Sequence, residues 1–359
     1  MSKLGKAKVK QTSAPAAQAA APDVAAQAAA LVQAVTDAGQ AHEAGAVLLA
    51  ALAPIFAAAP HNSLATAQAG LVAALAEAQV LAQLAQLTAG GSDSLTTLLR
   101  QLAELNAQGQ PGEAGAALDG ALQALPAGPS AARSALGEIA ARQDRIRHRP
   151  DLAAQRLLAE LRATPQPGGL FRAMHDHWEA WFDRGQEGAL TFDLTVALQL
   201  ARANAERAKG VQHTQALADL AITQFRLGER EGRAERLRAA VTSFRAVLAG
   251  LNRKTDAEAW AGAMVNLGIA LATLAAMEVG TARLEEAVKC HRAALQVQTR
   301  ARHPEDHAAT SGFLAQALIA LAERNSDAAL AREALALLAD CNGAADQITA
   351  AQTLLARLS

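Results

Sequence analysis

His175, Asp176, His177 and Glu179 fall within five residues, and imidazole and carboxylate are the usual ligands of zinc and related divalent metals. Helix geometry works against convergence here, because side chains two apart on a helix point about 200° away from each other. Only His175 and Glu179, four apart, share a face. A solvated helix face is therefore the expectation, with a metal-dependent enzyme as a remote alternative. No metal and no other cofactor is expected.

Arg142, Arg145, Arg147 and Arg149, with His148 among them and Arg156 beyond, form the densest basic run. A planar guanidinium fork bonds two oxygens of a phosphate or carboxylate at once, so an anionic partner is one reading of this patch. Asp144 and Asp151 interleave and no aromatic side chain does. The favoured reading is the cation-rich end of a solvated helix closed by Pro150. Trp178, Trp181 and Phe182 come next as a cluster able to anchor a partner, or to seal a core where two regions meet. Trp178 and Phe182, four apart, should lie on one face.

Nucleophile motifs, glycine-rich phosphate loops and zinc-protease signatures are absent from the chain. The GGS at 90–92 and PGG at 167–169 lack the flanking strand and the GK[ST] ending of a phosphate loop. The two cysteines, Cys290 and Cys341, are 51 residues apart, which is no metal-site spacing and fits a reduced, cytoplasmic compartment. Cys290 is expected to be a small buried thiol.

The elements that must position these groups are helical. Alanine dominates the 359 residues, tyrosine is missing, and β-branched residues never alternate in the manner of a strand. A formal net charge of −1 provides no overall field towards nucleic acid, and no nucleic-acid partner is expected. Residues 1–22, with Lys3, Lys6, Lys8 and Lys10 but no apolar core, read as a disordered tail rather than a signal peptide. Residues 44–76 carry no formal charge, yet Pro54, Pro60 and several polar residues interrupt them, so two packed helices are expected and no membrane span.

From Asp23 to about 163 the patterning is helical and Ala-rich, punctuated by Gly39, Pro60, Gly90-Gly91, Pro111, Pro126 and Pro150, with a weak internal period near 34. The TPQPGG at 164–169 is the expected linker between this region and the rest. Five of the ten aromatics follow it within 22 residues, and a partial helix pair occupies 171–208. Beyond that, one period governs. Leu220, Leu267 and Leu314 are 47 residues apart, as are Leu227, Leu274 and Leu321, and each series leads into a second helical stretch. Such a period means helix pairs that bury their apolar faces only by stacking on one another. The last stretch, QITAAQTLLARL, is expected to cap the array.

The middle unit carries Trp260, Asn266-Leu267-Gly268, Ala270-Leu271, then Gly280 to Leu284, Glu285-Glu286-Ala287-Val288 and His291 to Leu295. It resembles the tetratricopeptide repeat in the bacterial long-loop variety, degenerate over 23–163 and regular over 170–359. The resemblance implies an all-α solenoid: helix–turn–helix units stacked into a right-handed superhelix with an inner groove lined by the first helices. It implies a non-enzymatic adaptor or scaffold that binds a protein or peptide, with Gln215, Asp219, Arg226, Asn266, Ile269, Thr273, Phe313 and Gln316 facing the groove. An alternative implied by the same resemblance is the sensor or docking arm of a bacterial signalling or defence system whose effector is another chain. Self-association through an end of the array is a further expectation.

Overall fold

The computed structural model describes residues 24–39, 45–59, 63–88, 93–126, 130–188, 190–339 and 345–358. The expected tail over 1–22, Pro60, Gly90-Gly91 and Cys341 lie outside the described residues. Among the described residues the protein is all-α, with sixteen helices and no strand. They are α1 (Val24–Asp37), α2 (Gly45–Ala58), α3 (Leu64–Leu87), α4 (Ser94–Ala107), α5 (Pro111–Ala124), α6 (Ala131–Ile146), α7 (Pro150–Ala163) and α8 (Leu170–Glu187). There follow α9 (Thr191–Arg207), α10 (Gly210–Glu231), α11 (Ala234–Ala249), α12 (Ala257–Ala275), α13 (Ala282–Leu295), α14 (Pro304–Asn325), α15 (Ala328–Leu338) and α16 (Ala345–Leu358).

Local chemistry sets the helix ends. Ser63, Asp93, Ser130 and Asp327 each accept a hydrogen bond from a first-turn amide, which satisfies donors that have no partner within the helix. Pro111, Pro150 and Pro304 open their helices, where the missing N–H costs nothing and the fixed φ is already helical. Pro54, by contrast, lies inside α2 and does not end it.

The chain divides into two compact units between Asn204 and Ala205, with Arg230–Gly232 grouped with the first of them. TPQPGG does separate α7 from α8, but the unit boundary falls within α9, well beyond that linker. Long-range pairs hold α9 to the N-terminal unit: Arg145 of α6 reaches Asp193, and Gln199 donates to Asp151 of α7 at 2.9 Å.

In the N-terminal unit α3 is the hub, packing against α1, α2, α4 and α6. Its core runs from Leu31 and Val35 through Leu48, Leu52, Phe56, Leu71 and Leu81 to Leu102, Leu118 and Ile146. The turn at Gly109 recurs 70 residues earlier at Gly39, which is left-handed at φ 64° and donates to Thr36 O, and again 39 residues on at His148. Gln108-Gly109-Gln110-Pro111 and Arg147-His148-Arg149-Pro150 share one turn. Gly109 donates to Asn106 O and Gln110 to Leu105 O, just as His148 donates to Arg145 O and Arg149 to Asp144 O. Gly109 is left-handed at φ 71° and His148 at φ 50°.

In the C-terminal unit packing runs along the chain, α11 on α12, α12 on α13, α13 on α14, α14 on α15 and α15 on α16. The 47-residue register is visible as a column of buried alanines, Ala240, Ala287 and Ala334, each 0% exposed. These small residues let the paired helices approach closely. Where α10 meets α11, Gly228 faces Leu237 so tightly that an added Cβ would lie 2.8 Å from the leucine. Gly185 and Leu194 of the partial pair α8–α9 repeat that contact at 2.7 Å. Without glycine in the third connector, Ser326 takes the left-handed cap at φ 54°.

Two helices, α3 and α12, are long and apolar enough to cross a membrane by length and composition alone. In each case a large part of the apolar window, 39% and 50%, is buried inside the protein.

Candidate functional site

The eight groove positions come from three first helices. Asp219, Asn266 and Phe313 occupy the same register position in α10, α12 and α14. Their surroundings differ. Asp219, Arg226 and Ile269 are buried at 7%, 9% and 6% exposure, so they face packing rather than an open surface. Arg226 reaches Glu229 at 3.0 Å and lies over the ring of Phe225. Gln215, Asn266, Thr273, Phe313 and Gln316 are half-buried. Within this column Asn266 Nδ2 is a buried donor with no hydrogen-bond acceptor, an arrangement that costs free energy unless something supplies one.

Beneath the column lies His291 of α13. Its ring is 1% exposed, stacks on Phe313 with centroids 6.0 Å apart, and presses so closely on Gly268 that a Cβ there would meet ring atoms at 2.5–2.9 Å. Burial alone pushes the imidazole down to about 4, because the charged form has no water around it. Next to it, burial and then Glu286 push the Cys290 thiol up to about 12, so this cysteine is an inert thiol at neutral pH.

The arginine run belongs to the N-terminal unit and is largely occupied there. Arg142 and Arg145 both reach Glu77 of α3, at 2.5 and 3.1 Å. Arg145 also pairs at 2.6 Å with Asp193, whose side chain is 0% exposed, and Arg184 approaches the same oxygen at 3.4 Å. The Arg145 guanidinium lies over Trp181 and Phe192, and Arg184 stacks on Trp181 at 3.9 Å. Arg147 bonds the equally buried Asp144 at 2.6 Å. Arg156 bridges Asp144 and Asp119. Gly115 leaves the space that the Arg147 guanidinium fills, since a Cβ there would lie 1.9 Å from Nη1. Arg149 alone of the four is exposed. Burial raises Asp144 and Asp193 above the ordinary carboxylate value despite these arginines.

Glu77, Asp193 and Gly115 are the partners that reading the arginine run alone misses, whereas Asp144 was visible within it. One signal was there: Glu77 is the only formal charge between Glu43 and Asp93, and a solitary carboxylate in an apolar helix needs a cation from elsewhere.

The aromatic cluster forms a ladder on α8. Phe171, His175, Trp178 and Phe182 stack in turn, with successive centroids 6.4, 5.3 and 5.2 Å apart. Trp178 and Phe182 are buried and share a face; Trp181, on another face, carries Arg184. His177 is exposed, and among the described residues no three His, Cys, Asp or Glu side chains come together as a metal set.

No family model and no curated protein matches this chain.

Proposed function

We propose that the protein is a non-enzymatic adaptor of the tetratricopeptide kind that holds a protein or peptide partner along α10, α12 and α14. The observation that carries this reading is the column Asp219, Asn266, Phe313, at whose centre a buried amide donor lacks an acceptor. An extended partner presents backbone carbonyls at regular intervals, and such a carbonyl is the acceptor Asn266 lacks. Half-buried Phe313 and Gln316 provide apolar area and a second polar contact beside it. The partner class includes an effector carried on another chain.

Asn266→Ala and Gln316→Ala remove the polar contacts at half-buried positions while leaving the buried Asp219, Arg226 and Ile269 untouched, which makes them better probes than Asp219. Quantitative crosslinking in the native cell, comparing the wild type with the double variant, is expected to show a set of partners depleted at least about tenfold, as loss of one or two buried hydrogen bonds implies. An unchanged set rejects the groove.

A further inference from the structure

His291 stands out once the repeats are aligned. Phe244 and Leu338 occupy its position in the neighbouring units, both buried at 1% or less. The facing position on the first helix is Ala221, Gly268 and Ala315 in turn. The unit with the imidazole is therefore the one with the glycine, and Gly268 makes the slot that the ring fills. A polar ring has replaced an apolar one at the centre of the array, yet its Nδ1 is buried with no hydrogen-bond partner. Packing alone does not account for it, because phenylalanine or leucine fills the same site elsewhere.

Among the described residues no compensating charge offsets the burial of the ring. On α12 the single charged residue is Glu258, in the first turn, 3.9 Å from His303. On α14 the titratable groups are Glu305, Asp306 and His307 near the start and Glu323 and Arg324 in the last turn. On α13 itself Glu286 pairs with Arg245 and Arg292 with Glu333 on the exposed side. Arg283 reaches Glu278, Glu285 accepts from Thr281, Lys289 is exposed, and Cys290 holds its proton.

We propose that His291 makes the packing of α12, α13 and α14 an acid-labile seam: protonation places an uncompensated charge in an apolar slot and loosens the three helices. Phe313 stacks directly on the ring, so the seam also lies under the candidate groove; that consequence rests on the adaptor reading, whereas the loosening does not. The sign follows from linkage. A folded value near 4 lies below the ordinary 6.5, so this stability is complete above about pH 6.5 and is lost as pH falls from there through 4.

Hydrogen exchange of the full chain, corrected for intrinsic rates, tests the seam at pH 7.5 and 4.5. Between these two conditions α12–α14 should lose protection on the order of 50-fold more in the wild type than in His291→Leu, from the offset between folded and unfolded values. Equal losses overturn the proposal. His291→Phe is the second variant, matching the first unit as leucine matches the third. The imidazole resonance of His291 in the wild type gives a readout independent of either variant. A midpoint well below 6 is expected, and an ordinary midpoint overturns the proposal even if neither variant folds. Because no partner is involved, failure here leaves the groove reading standing, and failure of the crosslinking test leaves the seam standing.

Discussion

The two units are both built of α-helices but put their charges in different places. In the N-terminal unit the Asp144 and Asp193 side chains are fully buried, Asp144 held by the nearby Arg147 and Arg156 and Asp193 by Arg145 from 48 residues away. In the C-terminal unit the corresponding pairs lie on the outside and repeat: Arg245 with Glu286, then Arg292 with Glu333, each one period further on. A regular array can reuse one contact because every junction has the same geometry. The N-terminal unit, arranged around the single hub α3, has no such equivalence, and each of its junctions is closed individually.

This difference predicts unequal responses to mutation. The largest effect is expected for Arg145→Ala, which leaves Asp193 buried beside only the half-exposed Arg184 and also deprives Glu77 of a partner. A loss of about 3–5 kcal/mol follows, measured by urea unfolding. Replacing Arg145 and Asp193 together by leucine should cost clearly less than the sum of the single changes. If Arg145→Ala costs no more than a surface arginine, the contrast between the units collapses.

Next is Gly268→Ala in the regular unit, which drives a methyl group into the His291 ring. A cost of about 1–3 kcal/mol is expected. Combining it with His291→Leu reproduces the third unit's Ala315 and Leu338 and should recover most of that loss. A double variant no more stable than Gly268→Ala would mean that the units are not interchangeable in register.

The smallest effect belongs to the repeated outer pair. Arg292 and Glu333 are half and about two-fifths exposed, so Arg292→Ala should cost about 0.2–1 kcal/mol and lose even that in high salt. A cost above 2 kcal/mol, unaffected by salt, would mean that these pairs hold the array together as firmly as the buried cluster holds the N-terminal unit.

Much of the fold was legible in the chain. Prolines and glycines at 39, 109–111, 126 and 150 stand at helix boundaries, because those residues act on φ and on hydrogen bonds within one turn. The 47-residue spacing located the helix pairs for a similarly local reason: apolar residues at helical intervals need a partner face whatever that partner is. The candidate groove was legible only in part. Asp219, Asn266 and Phe313 do share a register position, but Asp219, Arg226 and Ile269 are buried, and the period says nothing of how far a residue is turned inward.

By itself, the sequence determined the helical class, the helix ends and the period of the C-terminal array, all properties of neighbours along the chain. Only the tertiary structure decided where the unit boundary falls and which carboxylates the arginines meet, because Glu77 and Asp193 lie 68 and 48 residues from Arg145. It also decided that His291 has no hydrogen-bond partner at Nδ1. Burial and charge pairing arise from groups brought together across such distances, and no local spacing encodes them.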